Sequence, residues 1–365
     1  MKNYKLFIYS AVLFIITFFT SCNLVSSEPL PDIAYKNIIL IIGDGMGSEQ
    51  IKAAGYYKYG EEGLFSFEQF SDKSYQTTFS ANSEITDSAA SATAMATGEK
   101  VKNGVISKEI PGRRAFLTTI LEEAQNQGKL TGLVTTTYSV HATPAAFAAH
   151  VTNRSNYDVI GYQYMNSSRP DVIFAGGHES LSVQLADYFG YTTVTDKTSL
   201  NNLTYTLGSR YFGYFGNGHL PYIYDGMGSL PELSDMALKA IELLEQSDEG
   251  FFLMIEGGRI DHAGHSNDLI RNIYEVIELA DTVEKVVKWA EDHPNTIIIV
   301  TADHETGGLS VLQNNEAGNL PDVKWSTKGH TAISVPVYLW GGNSQNLKLQ
   351  IKDNTDIFHA FFSYP

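Results

Sequence analysis

The sequence is poor in cysteine and short of positive charge. Cys22 is the only cysteine among 365 residues. No disulfide can therefore form within one chain, and stability must come from a buried core. Lysine and arginine total 25 against 41 acidic residues, giving a formal net charge of −16. That balance excludes a nucleic-acid-binding surface, which needs basic groups to displace phosphate counterions. An acidic protein still accepts an anionic ligand where cations and an arginine reverse the sign locally. Long apolar runs are also missing: the run from Leu6 to Phe19 is short of the roughly 20 residues that span a bilayer. What is present is globular: 43% hydrophobic and 18% charged residues, in a chain long enough for one large α/β domain.

The N-terminus has its own grammar. Lys2 and Lys5 precede the Leu6–Phe19 run, and Phe19-Thr20-Ser21-Cys22 follows. A charged start, a short apolar segment and small residues before a break predict an export signal over residues 1–22, in preference to a membrane-spanning anchor. Cys22 resembles the lipid-attachment cysteine of bacterial lipoproteins, with Phe19 where Leu is more usual. The resemblance implies an exported protein of the periplasm or cell envelope, anchored to a membrane through lipid on Cys22 and free of other thiols. Residues 23–34 are polar with two prolines and read as a tether. Residues 35–365 then form the functional domain.

Within that domain one sentence repeats. The apolar runs Asn37–Ile42, Leu130–Val134, Phe251–Ile255 and Ile297–Val300 are continuous, not alternating, which marks strands buried on both faces. Between them lie helical patterns. Arg114–Gln127 is closed by Gly128 as a C-cap. Over 268–292, Leu269, Ile273, Val276, Ala280, Val283, Val287 and Ala290 recur at helical spacing. Strand–helix repetition predicts a doubly wound, mostly parallel α/β sheet with helices on both faces. The Tyr- and Gly-rich stretch 181–231 has weak periodicity and reads as an insertion lying over one sheet edge.

Ligands of such sheets bind beyond the carboxyl ends of the strands. Three of the runs lead into a carboxylate there: Asp44, Glu256 and Asp303. Carboxylates gathered on one rim repel unless cations sit between them. Asp261 and His265, four residues apart, and the adjacent Asp303 and His304 are oxygen–nitrogen pairs of the kind zinc takes. His330 is a further donor. Together they suggest a two-metal site. Ser88, in Thr86-Asp87-Ser88-Ala89-Ala90-Ser91-Ala92-Thr93-Ala94, falls at the start of a helix, where backbone N–H groups favour an anion. Asp87 or Ser88 is equally a simple helix cap. A serine nucleophile needs activation, and no dedicated base is evident, which leaves a metal ion as the activator.

Taken together, Ile42-Gly43-Asp44-Gly45-Met46-Gly47, Thr86 to Gly98, His141-Ala142-Thr143-Pro144 through Arg154, Glu256 to His265, Asp303-His304-Glu305-Thr306-Gly307-Gly308 and Gly329-His330 resemble the motifs of alkaline phosphatases, in family order. The resemblance implies an alkaline phosphatase-like fold and hydrolysis of small phosphate monoesters through a phosphoserine at Ser88. It implies one zinc on Asp261, His265 and His330, a second on Asp44, Asp303 and His304 with Ser88 beside it, and a third ion, usually magnesium, on Asp44, Thr143 and Glu256. Arg154 matches the family's phosphate-gripping arginine, a planar fork for two oxygens. His141 and His262 stand where the enterobacterial pattern has Asp and Lys. A nearby imidazole at His141 favours zinc over magnesium for the third ion, and His262 becomes a weaker or water-mediated phosphate contact. Members of the family are often homodimers; the short insertion leaves that state open.

Blander roles compete with these. His150, His178, His219 and His293 read as structural histidines, and Glu305 and Thr306 as supports of their loop. The alternative activities are a phosphodiesterase or sulfatase of the same superfamily, or an inactive surface-anchored binding lipoprotein. Ser88 and Arg154 together favour the monoesterase.

Overall fold

The computed structural model describes residues 32–341 and 351–362; the predicted export signal, Cys22 and most of the tether lie outside them. The strands are β1 (Asn37–Gly43), β2 (Asp72–Gln76), β3 (Leu130–Tyr138), β4 (Val172–Gly176), β5 (Tyr191–Val194), β6 (Arg210–Tyr214), β7 (Phe251–Gly257), β8 (Thr296–Thr301), β9 (Glu305–Thr306), β10 (Leu309–Gln313), β11 (Asp322–Trp325), β12 (His330–Thr331) and β13 (Val335–Trp340). Nine of them form one sheet in the order β2-β13-β8-β1-β7-β3-β4-β6-β5. All pairings are parallel except those of β13 with β8 and β2.

The unbroken apolar runs are explained by a core on each side of the sheet. In β1, Ile38, Leu40 and Ile42 enter one core, with Ala92, Met95, Ile120 and Phe147. Ile39 and Ile41 enter the other, with Ile51, Met236, Val276 and Val283. In β8 the split is the same, Ile297 and Ile299 against Ile298 and Val300. Period-two side-chain alternation thus serves two apolar faces at once, and the predicted doubly wound α/β fold is the one observed.

The helices are α1 (Ser48–Tyr59), α2 (Ser88–Thr97), α3 (Ile120–Asn126), α4 (Ala142–Ala148), α5 (Tyr157–Gln163), α6 (Val183–Tyr188), α7 (Lys197–Asn201), α8 (Leu233–Leu244), α9 (Arg259–Ser266) and α10 (Leu269–Ala290), with a last short turn at Asp356–His359. Every residue of α2 is buried. Its Ala, Ser and Thr side chains are small enough to sit close to α4 without voids. Gly98 ends it in the left-handed region at φ 75°, donating its N–H to Ala94 O at 2.9 Å, a conformation that favours glycine. Among the described residues no helix is long and apolar enough to cross a membrane.

Two local readings differ from the structure. The Arg114–Gln127 pattern becomes helical only from Ile120, because Thr119 caps it: the Thr119 hydroxyl accepts from Glu122 N, and the Glu122 carboxylate accepts from Thr119 N. That capping box outcompetes the apolar spacing upstream. The stretch 181–231 does not cover a sheet edge. It extends the edge, supplying β5 and β6 in parallel with β4. Its strands are short and their faces mixed, so no hydrophobic run announced them.

Candidate active site

The strand order decides which carboxyl ends meet. β8, β1, β7 and β3 are successive neighbours, and Ile42 of β1 is level with Glu256 of β7 and Thr301 of β8. Strands in a sheet are about 4.8 Å apart, so Asp303, Asp44 and Glu256, each at or just past the end of its strand, converge. The turn after β1 is tight: Gly45 adopts φ 74°, and a Cβ there would meet Asp261 Cα at 2.9 Å. Only glycine lets α9 approach that closely.

The donors fall into groups that share members. Asp261, His265 and His330 form one; Asp44, Asp303 and His304 a second; Asp44, His141 and Glu256 a third. The first two are the sets expected for the zinc ions. The third contains Asp44 and Glu256 as expected and adds His141. Thr143 is buried beside it; its hydroxyl approaches Glu256 without a well-formed hydrogen bond.

Each histidine of the first two groups presents Nε2. His265 Nδ1 lies 2.5 Å from Lys328 O, and His330 Nδ1 2.9 Å from Thr86 O. Carbonyls only accept, so each Nδ1 carries a proton, and in the neutral imidazole that a metal ion requires each Nε2 carries the lone pair. Those two Nε2 atoms face each other at 3.2 Å. Thr306 works the same way for His304. Its hydroxyl donates to Asp261 Oδ1 at 2.5 Å and lies 3.2 Å from His304 Nδ1. His304 Nε2 is then left 3.5 Å from Asp44 Oδ1, 3.2 Å from Asp303 Oδ2 and 3.3 Å from Ser88 Oγ.

These acceptors have no donors to meet. Both Asp44 oxygens, Asp303 Oδ2, Glu256 Oε1 and Thr143 Oγ1 are buried without a hydrogen-bond partner. Burial, then the charges of Asp303, Asp261 and Glu256, push the Asp44 carboxyl well above the usual range. Burial lifts Glu256 to about 7 against the hydroxyls of Thr135 and Thr143. Burial opposes ionisation of Asp261 too, but His265, His304 and His330 outweigh it and hold that carboxyl low. Lone pairs aimed at lone pairs are what divalent cations stabilise. The residues present therefore fit metal ions, with oxygen and nitrogen donors suited to zinc in the first two groups.

Ser88 and its neighbours resolve the capping question. Asp87, not Ser88, is the N-cap of α2, accepting from Ala90 N at 3.0 Å and from Gly104 N at 3.1 and 3.0 Å. Such a cap contributes about 1 kcal/mol and leaves the Ser88 hydroxyl free beside His304. Asp87 also pairs with Arg154, Oδ2 to Nη1 3.1 Å, while Arg154 Nη2 lies 3.3 Å from His141 Nε2. His262 packs edge-on against His141 with ring centroids 5.9 Å apart. Every predicted site residue in the described part of the chain is thus in this one cluster.

The set-aside histidines divide. His150 is structural: Nδ1 lies 2.8 Å from Ser107 O and Nε2 2.8 Å from Glu122 Oε1. His293 stacks on Trp289. His178 packs on Tyr138 and Tyr157. His219 had no role in the sequence, yet its ring lies 4.4 Å from that of His262 and 5.6 Å from that of His141. Thr135 and Thr137, whose hydroxyls donate to Glu256 Oε2, and Thr306 also escaped a precise reading. The run Thr135-Thr136-Thr137 at the end of an apolar strand was their signal.

Asp44 supplies a pH-dependent test. An unfolded Asp loses its proton near pH 3.9, whereas folded Asp44 holds it to higher pH. Asp44 therefore contributes a loss of stability to the metal-free fold as pH rises across that interval, and an uncharged amide in place of the carboxyl would remove that contribution. Asp44→Asn is expected to raise the Tm of chelator-treated protein at pH 8 and to reduce the zinc-dependent Tm gain of the wild type, leaving the part that the Asp261–His265–His330 group supplies. Differential scanning fluorimetry reads both; a variant with an undiminished zinc gain contradicts the arrangement.

Comparison with known proteins agrees with this geometry. The family model described as alkaline phosphatase matches residues 35–321. Alkaline phosphatase 4 of Bacillus subtilis (strain 168) is 36% identical over 298 residues, which is 77% of this chain and 64% of that enzyme, so the chain spans under two thirds of its length. A cold-active alkaline phosphatase from the psychrophile Shewanella sp. superposes with a TM-score of 0.80 at 30% identity, covering 89% of this chain and 98% of that one. A histidine-to-aspartate variant of the alkaline phosphatase from the Antarctic bacterium TAB5, with Mg bound in its M3 site, gives 0.78 at 28% identity over 90% of this chain and 97% of its own. On the family match over residues 35–321, this chain belongs to the alkaline phosphatase family.

Proposed function

We propose that the protein hydrolyses phosphate monoesters to an alcohol and inorganic phosphate, with Ser88 as nucleophile. The observation that carries this reading is the placement of Ser88 Oγ. It sits at the first turn of α2, 3.3 Å from His304 Nε2, with the Arg154 guanidinium tethered to the adjacent Asp87.

Two zinc ions would be held by Asp261, His265 and His330 and by Asp44, Asp303 and His304. A third ion would be held by Asp44, Glu256, Thr143 and His141. When bound, such ions lower the pKa of oxygen nucleophiles and neutralise charge on the attacking and leaving oxygens. The protein's own groups do the rest. Arg154 presents two N–H groups as a fork for two phosphoryl oxygens, and the N–H groups at the start of α2 face the same anion. Ser88 Oγ loses its proton and bonds to phosphorus in line as the ester oxygen departs with a proton. Water then attacks the phosphoserine, releasing phosphate and restoring the hydroxyl. Arg154 is fixed in advance, so little reorganisation accompanies the charge that develops.

The purified protein, supplied with zinc and magnesium, is expected to hydrolyse an aryl phosphate with activity rising toward alkaline pH. Chelation should abolish turnover, and Ser88→Ala should lower it by about 10³-fold or more. Faster turnover of a diester or a sulfate ester would favour the superfamily alternatives; near wild-type activity in Ser88→Ala would make water the direct attacker.

The third ion depends on His141. An imidazole among carboxylates suits zinc, whereas an all-oxygen set suits magnesium. The TAB5 variant with Mg in its M3 site carries an aspartate in place of a histidine, in line with that chemistry. His141→Asp is expected to shift the third ion from zinc to magnesium, read by elemental analysis after dialysis against both. Unchanged metal content would remove His141 from the site.

We also propose export and anchoring through lipid on Cys22, from the charged, apolar and small-residue order of the N-terminus. Cys22→Ser is expected to move the protein from the membrane to the soluble fraction; retention with the membrane would refute the anchor.

A further inference from the structure

His262 is held from several directions by residues that the metal groups do not use. Arg259, the first residue of α9, places Nη1 2.8 Å from His262 Nδ1. The Arg259 guanidinium carbon lies 3.8 Å from the Tyr222 ring centroid, a cation–π contact that holds the group in place. Tyr222 is itself anchored. The next residue, Ile223, donates its N–H to the buried Glu275 carboxylate at 2.8 Å. Two residues further on, Asp225 takes both Nε and Nη2 of Arg271, at 3.0 and 2.9 Å. His219, earlier in the same segment, packs its ring 4.4 Å from that of His262.

The chemistry of the first contact has a consequence for the proton on His262. A guanidinium only donates, so His262 Nδ1 accepts and must carry a lone pair. The imidazole proton is then on Nε2, at the other end of the ring. His262 is packed on His141, which touches Arg154, so its Nε2–H belongs to the neighbourhood where a phosphoryl group would be gripped.

We propose that Arg259, clamped on Tyr222, is a positioning residue that locks His262 as its Nε2–H tautomer and so makes that N–H a donor to the bound phosphoryl group. This rests on the reading of His262 as a phosphate contact. It also gives the 219–225 segment a part in the site: the loop holds the arginine, the arginine sets the histidine, and the histidine meets the ligand. Losing Arg259 frees the ring to rotate and to place its proton on Nδ1, where it offers a lone pair to an anion.

The test uses the full chain loaded with zinc and magnesium. Arg259→Met is expected to raise the inhibition constant of inorganic phosphate, and to lower kcat/KM for an aryl phosphate, by about tenfold, as for one hydrogen bond to a charged group. Arg259→Lys should restore much of the loss. In a His262→Ala background Arg259→Met should change neither quantity further, because the arginine acts through the histidine. Long-range ¹H–¹⁵N spectra of histidine-labelled protein, with the His262 signals identified by their loss in His262→Ala, should show the Nε2–H tautomer in the wild type and a shift toward Nδ1–H in Arg259→Met. Additive losses in the double variant, an unchanged phosphate constant, or an Nδ1–H tautomer in the wild type would each overturn the proposal. A wild type without phosphatase turnover would sink the functional reading instead, and the tautomer spectra would still decide the role of Arg259.

Discussion

The structure depends on a concentration of buried negative charge that the polypeptide cannot neutralise by itself. Asp44, Glu256, Asp261 and Asp303 lie within one rim of the sheet, all buried, and several of their oxygens have no donor. Burial pushes the Asp44 carboxyl up, and the neighbouring carboxylates push it further, because each ionisation makes the next more costly. Divalent cations turn the same arrangement from repulsive to cohesive. The scaffold has to be stiff enough to hold the carboxylates together before any ion arrives, and a sheet with an apolar core on each face has that property.

The supports follow from the same constraint. Every histidine in the first two donor groups has its Nδ1 occupied by a carbonyl or a hydroxyl, from Lys328, Thr86 and Thr306. This leaves Nε2 as the only lone pair to offer. Thr86 is two residues before Ser88, so one strip of chain both orients a donor and carries the proposed nucleophile. Asp87, between them, joins the cap of α2 to Arg154. Three neighbouring residues therefore hold His330, Arg154 and the proposed nucleophile in one place, which leaves little freedom for any of them to move alone.

How much of this was legible in the sequence follows from where each signal resides. The strands buried on both faces were readable because two cores require unbroken apolar runs. The donor residues were readable from their spacing and their position after those runs, and their grouping into sets from the resemblance to alkaline phosphatases. β5 and β6 were not, since short strands at or near a sheet edge carry weak patterns. The helix start at Thr119 was hidden by apolar spacing upstream that the capping box overrode. Supports that act through backbone carbonyls, such as those of Thr86 and Lys328, leave no trace in residue type. His219 and Arg259 looked ordinary alone, and only the fold shows that both touch His262.

The most direct test of the account is where ions bind. Crystals of the protein grown with zinc and soaked in inorganic phosphate would be measured at wavelengths on either side of the zinc absorption edge. Anomalous peaks are predicted at the Asp261–His265–His330 and Asp44–Asp303–His304 groups, with phosphate between Ser88 and Arg154. Peaks only away from this rim, or no peaks at these donors under saturating zinc, would contradict the claim that cations neutralise the rim; a further peak at Asp44–His141–Glu256 is the third ion.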